Sequence, residues 1–260
     1  MHANPLPTPY RTPAPGLWAS AGLIVFYFLL QAVTATLAVL VINMVAGSGH
    51  TGPKAGLDAL LRPATQALLA ILSLAVAAPV TLWLARRKWL SLWTMARPPG
   101  LGFTMPVQWG FLVLAVVAGL AAPLLGGVLT QWLAHDHAVT QDIRQLGAST
   151  PLAWRIPLVL MVVAVGPLVE ELLFRGVLLS ALLRYMPTVW AVLLCSLAFA
   201  LVHLPGLQYE WYALPALTLL ALILAWLRLH SGSIWPAVLA HAANNLLAVT
   251  TWFVVSGPGG

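Results

Sequence analysis

Residues 156–184 read IPLVLMVVAVGPLVEELLFRGVLLSALLR. The run is longer than the ~20 mostly apolar residues that cross a bilayer as a helix, yet Glu170, Glu171 and Arg175 stand in its middle. The whole chain of 260 residues is 61% hydrophobic and only 7% charged, whereas soluble domains contain about 25% charged residues. Because so few charges cannot cover a surface in contact with water, the composition predicts an integral membrane protein.

Further apolar runs flank this one, separated by short linkers rich in proline, glycine and charge. They predict an all-α, polytopic transmembrane helix bundle of about seven or eight spans. The first run is long for one span and leaves room for a short interfacial piece, and the fifth is short. The runs cover residues 17–46, 64–85, 107–133, 156–184, 188–204, 211–228 and 234–254.

Four parts of the chain follow from these runs. A proline-rich N-terminal tail, residues 1–16, is expected to be mobile, and it lacks the layout of a cleavable signal peptide. Residues 17–149 hold about three N-terminal spans. Residues 150–254 form the helical core that carries the intramembrane ionisable side chains, and residues 255–260 form a C-terminal tail.

The basic residues predict the orientation of the bundle. The densest cluster, Arg86, Arg87, Lys88 and Arg97, follows the second run, and cytoplasmic loops of membrane proteins carry the excess of lysine and arginine. This places the N-terminus in the cytoplasm. The net charge of +6 then reflects topology and contact with anionic lipid headgroups, so membrane lipids are expected partners and nucleic acid is not.

The charged residues of the fourth run divide into two roles. An ionisable side chain inside a span costs ~2.5–3.5 kcal/mol on insertion scales, and it marks a functional site by default. Glu171 and Arg175 are i, i+4 neighbours that can pair on one helix face, whereas Glu170 points ~100° away and has no partner on its own helix. We therefore expect a supporting pair, Glu171–Arg175, and a reactive carboxylate, Glu170.

Two other runs carry polar residues at helical spacing. Phe199 and His203 share a face at the end of the fifth run, and His241 and Asn245 share a face in the seventh. The imidazole and carboxamide of the latter pair offer hydrogen-bond donors at one point, which suits a developing oxyanion. Ideal helices put Glu170 and His241 near mid-membrane or its cytoplasmic half but His203 nearer the opposite face, and the sequence leaves this mismatch open.

Together these residues predict hydrolytic chemistry. Glu170 with His203 can polarise a water molecule, and His241 with Asn245 can stabilise the tetrahedral intermediate of acyl transfer. No serine or cysteine in the sequence has a comparable polar surrounding, which favours a water-activating hydrolase over a covalent one. The alternative is a purely structural network of charges and hydrogen bonds between helices.

At these residues the chain resembles the CPBP family, also called Abi. The family comprises the type II CAAX prenyl endopeptidases and the bacteriocin-processing and self-immunity proteins. Its pattern is Glu-Glu-x-x-x-Arg, then Phe-x-x-x-His, then His-x-x-x-Asn or Asp. The resemblance covers about residues 150–254, and the matching positions are Glu170, Glu171, Arg175, Phe199, His203, His241 and Asn245.

The resemblance implies a core of helices around a water-filled cavity open to the membrane. It implies that Glu170 and His203 activate the water, that His241 and Asn245 form the oxyanion hole, and that Glu171 and Arg175 orient the site or a substrate carboxylate. The family is commonly labelled metalloprotease, and Glu170, His203 and His241 could hold Zn²⁺ with an open position. The sequence has no His-Glu-x-x-His motif, which favours metal-free glutamate catalysis.

The leading hypothesis is thus an intramembrane endopeptidase of the bacterial inner membrane that cleaves membrane-associated or leader peptides. A second hypothesis is a non-catalytic immunity or scaffold protein that keeps the motifs for helix packing. A third is a proton-coupled transporter, which predicts inverted repeats with paired broken helices. The sequence shows no such repeat.

Overall fold

The computed structural model of the chain describes residues 14–47, 62–135 and 150–254. Most of the predicted N-terminal tail, the linkers 48–61 and 136–149, and the C-terminal tail 255–260 lie outside the described residues. The described part is helical and contains no strand. Its helical segments are α1 (Leu17–Gly47), α2 (Pro63–Lys88), α3 (Gly110–Ala134), α4 (Leu152–Leu182), α5 (Thr188–Val202), α6 (Leu214–Ser231) and α7 (Trp235–Val254).

Five of these segments are long and apolar enough to cross a membrane, namely α1 to α4 and Trp211–Ser231, which contains α6. The segment α5 is apolar but shorter. The segment α7 is 20 residues long, but His241, Asn244 and Asn245 make it less apolar. The all-helical membrane architecture is confirmed, while the count of seven or eight spans stays a prediction. The long first run is one continuous helix, without an interfacial break.

Hydrogen bonds between helix ends show that α4 runs in the direction opposite to α1 and to α7. Arg184, just after α4, donates from Nη1 to the carbonyl oxygens of Ala14 at 3.2 Å and Pro15 at 3.1 Å, so α4 ends where α1 begins. Arg155, in the first turns of α4, donates to the carbonyl of Trp252 near the end of α7. We call the end of the bundle that holds Arg184 the basic end.

The segment after α2 folds back into the bundle at the basic end. The amide of Ile234 donates to the carbonyl of Gly102 at 2.8 Å, and Leu101 packs with Leu172, Val177 and Ile234 in one buried cluster. Residues 89–104 therefore occupy the space that the first turns of α7 would otherwise fill. As a result α7 begins beside the π-helical part of α4 and not at its end.

The buried guanidinium of Arg228 holds this segment in place. It donates from Nη1 to the carbonyl of Ala96 and from Nη2 to that of Gly100, each at 2.6 Å. Gly102 has φ +80°, and a Cβ there would stand 2.7 Å from the Arg228 Cζ. Only glycine combines this backbone conformation with so close an approach.

Candidate active site

The side chains of Glu170, His203 and His241 meet at one point, although three different segments carry them. The Oε2 atom of Glu170 lies 3.5 Å from Nε2 of His203 and 3.8 Å from Nε2 of His241. The three side chains are 17%, 31% and 5% exposed, respectively. The cluster is therefore sheltered, and it opens mainly on the side of His203.

Chain lengths explain why the three residues share one depth. Glu170 precedes Arg184 by 14 residues, and His203 follows Pro187 by 16 residues, which at 1.5 Å per residue is about 21 and 24 Å from the basic end. His241 is only seven residues beyond Ile234, but α7 itself begins deep in the bundle. The expected mismatch in depth is thus absent, because α5 is short and α7 starts late.

Glu171 lies behind this cluster and joins it to Arg175. Its Oε1 atom accepts hydrogen bonds from Nη1 of Arg175 and from Nδ1 of His241, both at 3.0 Å. Nη2 of Arg175 donates to the carbonyl of Ala221 on α6 at 3.1 Å. Glu171 and Arg175 are completely buried. Because water does not solvate their charges there, the two opposite charges must stabilise each other.

These bonds determine which nitrogen of each histidine carries a proton. A carboxylate and a carbonyl only accept hydrogen bonds, so Nδ1 of His241 donates to Glu171 and Nδ1 of His203 donates to the carbonyl of Phe199 at 2.7 Å. In the neutral rings both Nε2 atoms are then acceptors. The Nε2 lone pair of a neutral His203 therefore faces the Glu170 carboxylate, whereas Nε2 of His241 accepts in the neutral ring and donates in the protonated one.

Two π-helical stretches flank the glutamate pair in α4. They are Met161–Val165 and Leu172–Leu178, and such π-bulges occur mostly at functional sites.

Pro167 has no N–H, so in the π register the carbonyl of Val162, five residues earlier, lacks its donor. Nδ2 of Asn245 donates to this carbonyl at 2.9 Å. One N–H of the Asn245 side-chain amide thus replaces the missing backbone donor in α4. The second N–H can donate to a further acceptor.

Phe199 supports the cluster from α5. Its ring centroid lies 4.4 Å from Cζ of Arg175, within the range of a cation–π contact, and 4.6 Å and 5.6 Å from the rings of His203 and His241. The ring therefore covers the buried guanidinium and limits the movement of both imidazoles.

Tyr27 of α1 is a neighbour of the site that the motif residues did not reveal. It packs in the same buried cluster as Val169, Phe174 and Phe199, which includes the residue that precedes Glu170. Among the described residues the Tyr27 hydroxyl has no hydrogen-bond partner. A tyrosine far from both ends of an apolar run, where interfacial aromatic residues do not belong, is the sequence signal that could have indicated it.

The zinc alternative was tested against the arrangement of possible ligands. Within the described ranges, no group of three or more histidine, cysteine, aspartate or glutamate side chains is arranged to hold a metal ion. The mechanism proposed below therefore uses these side chains without a metal.

Apolar helices around a buried acid–histidine cluster define an integral membrane protein with a candidate hydrolytic site. Residues 152–247 match the family model of the type II CAAX prenyl endopeptidases, described as Rce1-like. The match confirms the resemblance predicted from the motifs, and all seven motif residues fall inside it. This part of the chain is thus similar in sequence to the CAAX-protease-type membrane endopeptidases. No curated protein and no solved structure was found to match the chain.

Proposed function

We propose that the protein is an intramembrane endopeptidase that hydrolyses membrane-associated or leader peptides with a water molecule activated by Glu170 and His203. One observation carries this proposal: two hydrogen-bond acceptors, Oε2 of Glu170 and Nε2 of a neutral His203, lie 3.5 Å apart at one sheltered point. Acceptors that face one another are unfavourable unless a donor lies between them. A water molecule can donate its two protons to such acceptors and therefore meets this need.

The first step uses Glu170 and His203 as a proton-accepting pair. As the water oxygen attacks the scissile carbonyl carbon, its proton passes to the pair, and a C–O bond forms. The tetrahedral intermediate then collapses, the C–N bond breaks, and the pair returns the proton to the leaving amine. Because Nδ1 of His203 is held by the Phe199 carbonyl, Nε2 is the nitrogen that takes part.

His241 and Asn245 serve the developing oxyanion. A protonated His241 presents an N–H at Nε2 while Nδ1 stays bonded to Glu171, and the carboxylates of Glu170 and Glu171 together balance the charges of Arg175 and the imidazolium. The free N–H of Asn245 adds a second donor one helical turn away. Hydrogen-bond donors that are in place before the reaction stabilise such an oxyanion by several kcal/mol. Removal of one oxyanion-hole donor from another enzyme costs ~2.7–4 kcal/mol.

We propose that the protein lies in the bacterial inner membrane with its N-terminus in the cytoplasm, and the distribution of charge supports this orientation. The basic end carries exposed arginine and lysine side chains at the ends of α2 and α4, and no described carboxylate lies there. Glu210, between α5 and α6, lies at the other end of the bundle. This asymmetry is typical of a cytoplasmic face at the basic end.

The test is cleavage of a library of membrane-associated and leader peptides by purified protein in detergent. Wild type is compared with Glu170→Gln and His203→Ala, and with Glu210→Gln and His230→Ala, which remove the same functional groups away from the site. We expect cleavage by wild type and by the two control variants only. Cleavage that persists in Glu170→Gln and His203→Ala would refute the mechanism.

The same variants separate this proposal from an immunity or scaffold role. An immunity or scaffold protein that uses the motifs only for helix packing would keep its function in the cell after the Glu170→Gln substitution, since glutamine preserves the shape of the side chain. A peptidase would lose it.

A further inference from the structure

A groove on the outside of the bundle lies between the first turns of α1 and the last turns of α2. It has a volume of about 530 Å³, which is within the range of small-molecule sites. Its walls are mainly apolar, and charged side chains stand at one end only. The residues that matter for its chemistry are Trp18, Gly22, Phe26, Arg87, Lys88 and Trp89.

The floor of the groove is open because Gly22 has no side chain. A Cβ at Gly22 would have no neighbouring heavy atom within 4 Å, so the space above it is free along α1. Phe26, one turn further into the bundle, is 37% exposed. The groove thus offers a continuous apolar channel that leads from the basic end toward the middle of the membrane.

The charged end of the groove has two cations without an anion. Arg87 lies over the ring of Trp83 and Lys88 over the ring of Trp89, both at 5.3 Å from the ring centroid. Among the described residues, neither side chain forms a salt bridge. Both are exposed, so they can turn toward an anion that approaches from the membrane surface.

The aromatic rings give the level of the charged end. Trp18 is 91% exposed. Trp89, at the same end of the bundle, is buried in the cluster that contains Leu172 and Val177 of α4. Indole rings are enriched at the level of lipid headgroups. An occupant must therefore combine an anionic group at headgroup level with an apolar chain below it.

We propose that this groove is a binding site for an anionic phospholipid. The phosphate lies between Arg87 and Lys88, and one acyl chain lies along Gly22 and Phe26. A zwitterionic lipid fills the apolar part but brings its own cation to the basic end. Basic pockets between helices on the cytoplasmic side bind anionic headgroups in the same way. The site is separate from the Glu170 cluster and does not depend on peptidase activity.

The experiment is native mass spectrometry of the full chain in detergent, titrated with phosphatidylglycerol or with phosphatidylcholine of the same acyl chains. We expect wild type to retain phosphatidylglycerol roughly 30-fold more strongly, from about fivefold for each of the two cations near the surface. The double variant Arg87→Gln/Lys88→Gln should lose this preference. The matched double variant Arg86→Gln/Arg97→Gln removes the same charge from the same end but outside the groove, and it should keep the preference.

A second variant tests the apolar half of the site. Gly22→Leu fills the open floor without changing charge, and it should weaken retention of both lipids. Thermal unfolding gives an independent measure, since a ligand that binds only the folded state raises Tm. Phosphatidylglycerol should raise Tm of wild type and of Arg86→Gln/Arg97→Gln, but not of Arg87→Gln/Lys88→Gln.

Three results would overturn the proposal. Equal retention of the two lipids by wild type would make the groove an ordinary lipid-facing surface. Equal loss in the two double variants would make the preference an effect of total charge. Unchanged retention in Gly22→Leu would mean that the acyl chain does not lie in the groove.

Discussion

The Nδ1 atom of His241 lies 3.0 Å from Oε1 of Glu171, the same oxygen that accepts a hydrogen bond from Arg175. This contact connects α7 to α4 in the completely buried part of the bundle. It directs Nε2 of His241 toward Glu170, and in the proposed mechanism the two glutamates together balance the charges of Arg175 and a His241 imidazolium. Glu171 is thus a positioning residue in the proposed mechanism, and Glu170 is the carboxylate that faces the reaction.

The first prediction separates the structural role of Glu171 from its effect on His241. Glu171→Gln leaves the Arg175 guanidinium buried without a counter-charge, and breaking a buried pair costs about 3–5 kcal/mol. The double variant Glu171→Gln/Arg175→Met removes both charges, and we expect it to regain most of the lost thermal stability. It should still lack peptidase activity, because His241 has lost its charged partner.

Thermal unfolding in detergent and peptide cleavage are measured side by side for the two variants and wild type. If the double variant is as unstable as Glu171→Gln, the ion pair is not the reason for the loss of stability. If it is fully active, the carboxylate of Glu171 is not needed by His241.

The second prediction concerns the close contact of α3 with α7. A Cβ at Gly119 would stand 2.2 Å from the carbonyl oxygen of Ala240, the residue that precedes His241. Gly119→Ala must therefore push the two helices apart and displace His241, and a misplacement of about 1 Å can lower a rate by ~100-fold. We expect a large fall in the cleavage rate together with a lower Tm.

Gly127, on the same helix, provides the matched control. A Cβ there meets no heavy atom within 4 Å, so Gly127→Ala should keep full activity and gain up to ~1 kcal/mol of stability from its better helix propensity. Equal behaviour of the two alanine variants would show that the contact with Ala240 does not position His241.

The third prediction concerns Arg228. It is completely buried, and it donates to two carbonyl oxygens of the segment 89–104. Arg228→Gln cannot reach both carbonyls, and each buried acceptor left without a donor costs about 1–3 kcal/mol. We expect a lower Tm and increased proteolysis of residues 89–104.

Arg97→Gln is the control, because this exposed arginine belongs to the same segment. Its loss should leave Tm nearly unchanged. A Tm for Arg228→Gln equal to that of wild type would show that the two hydrogen bonds do not hold the segment in place.

The fourth prediction concerns metal. The described residues contain no group arranged as a metal site, and the proposed water is activated by a carboxylate and an imidazole alone. Protein dialysed against a chelator should therefore contain far less than one zinc per chain and should cleave peptides at the rate of untreated protein. A loss of cleavage that added Zn²⁺ restores would contradict metal-free catalysis.

Local patterns in the sequence were sufficient for the helices and for the identity of the candidate residues. The apolar run at 17–46 corresponds to α1, Leu17–Gly47, and the run at 188–204 to α5. The i, i+4 spacing of Glu171 and Arg175 anticipated their contact at 3.0 Å. These features depend on residues within one or two turns of a helix, where geometry is regular.

Contacts between helices could not be predicted in the same way. The bond from Asn245 to Val162 compensates for Pro167, but the sequence alone does not say that α7 passes this part of α4. The packing of Tyr27 in one cluster with Val169 and Phe199 also requires α1 to turn a particular face toward the site. Such relations depend on the rotation and axial shift of each helix, which the packing of all segments decides together.

The amino-acid sequence by itself determined that this is an α-helical membrane protein and which ionisable residues lie in its apolar runs, because burial in lipid restricts composition residue by residue. Only the tertiary structure decided that His203 and His241 reach the depth of Glu170. That depth follows from the short α5 and from residues 89–104, which displace the start of α7. Both are effects of packing, since the axial position of a helix is set by its neighbours and not by its own residues.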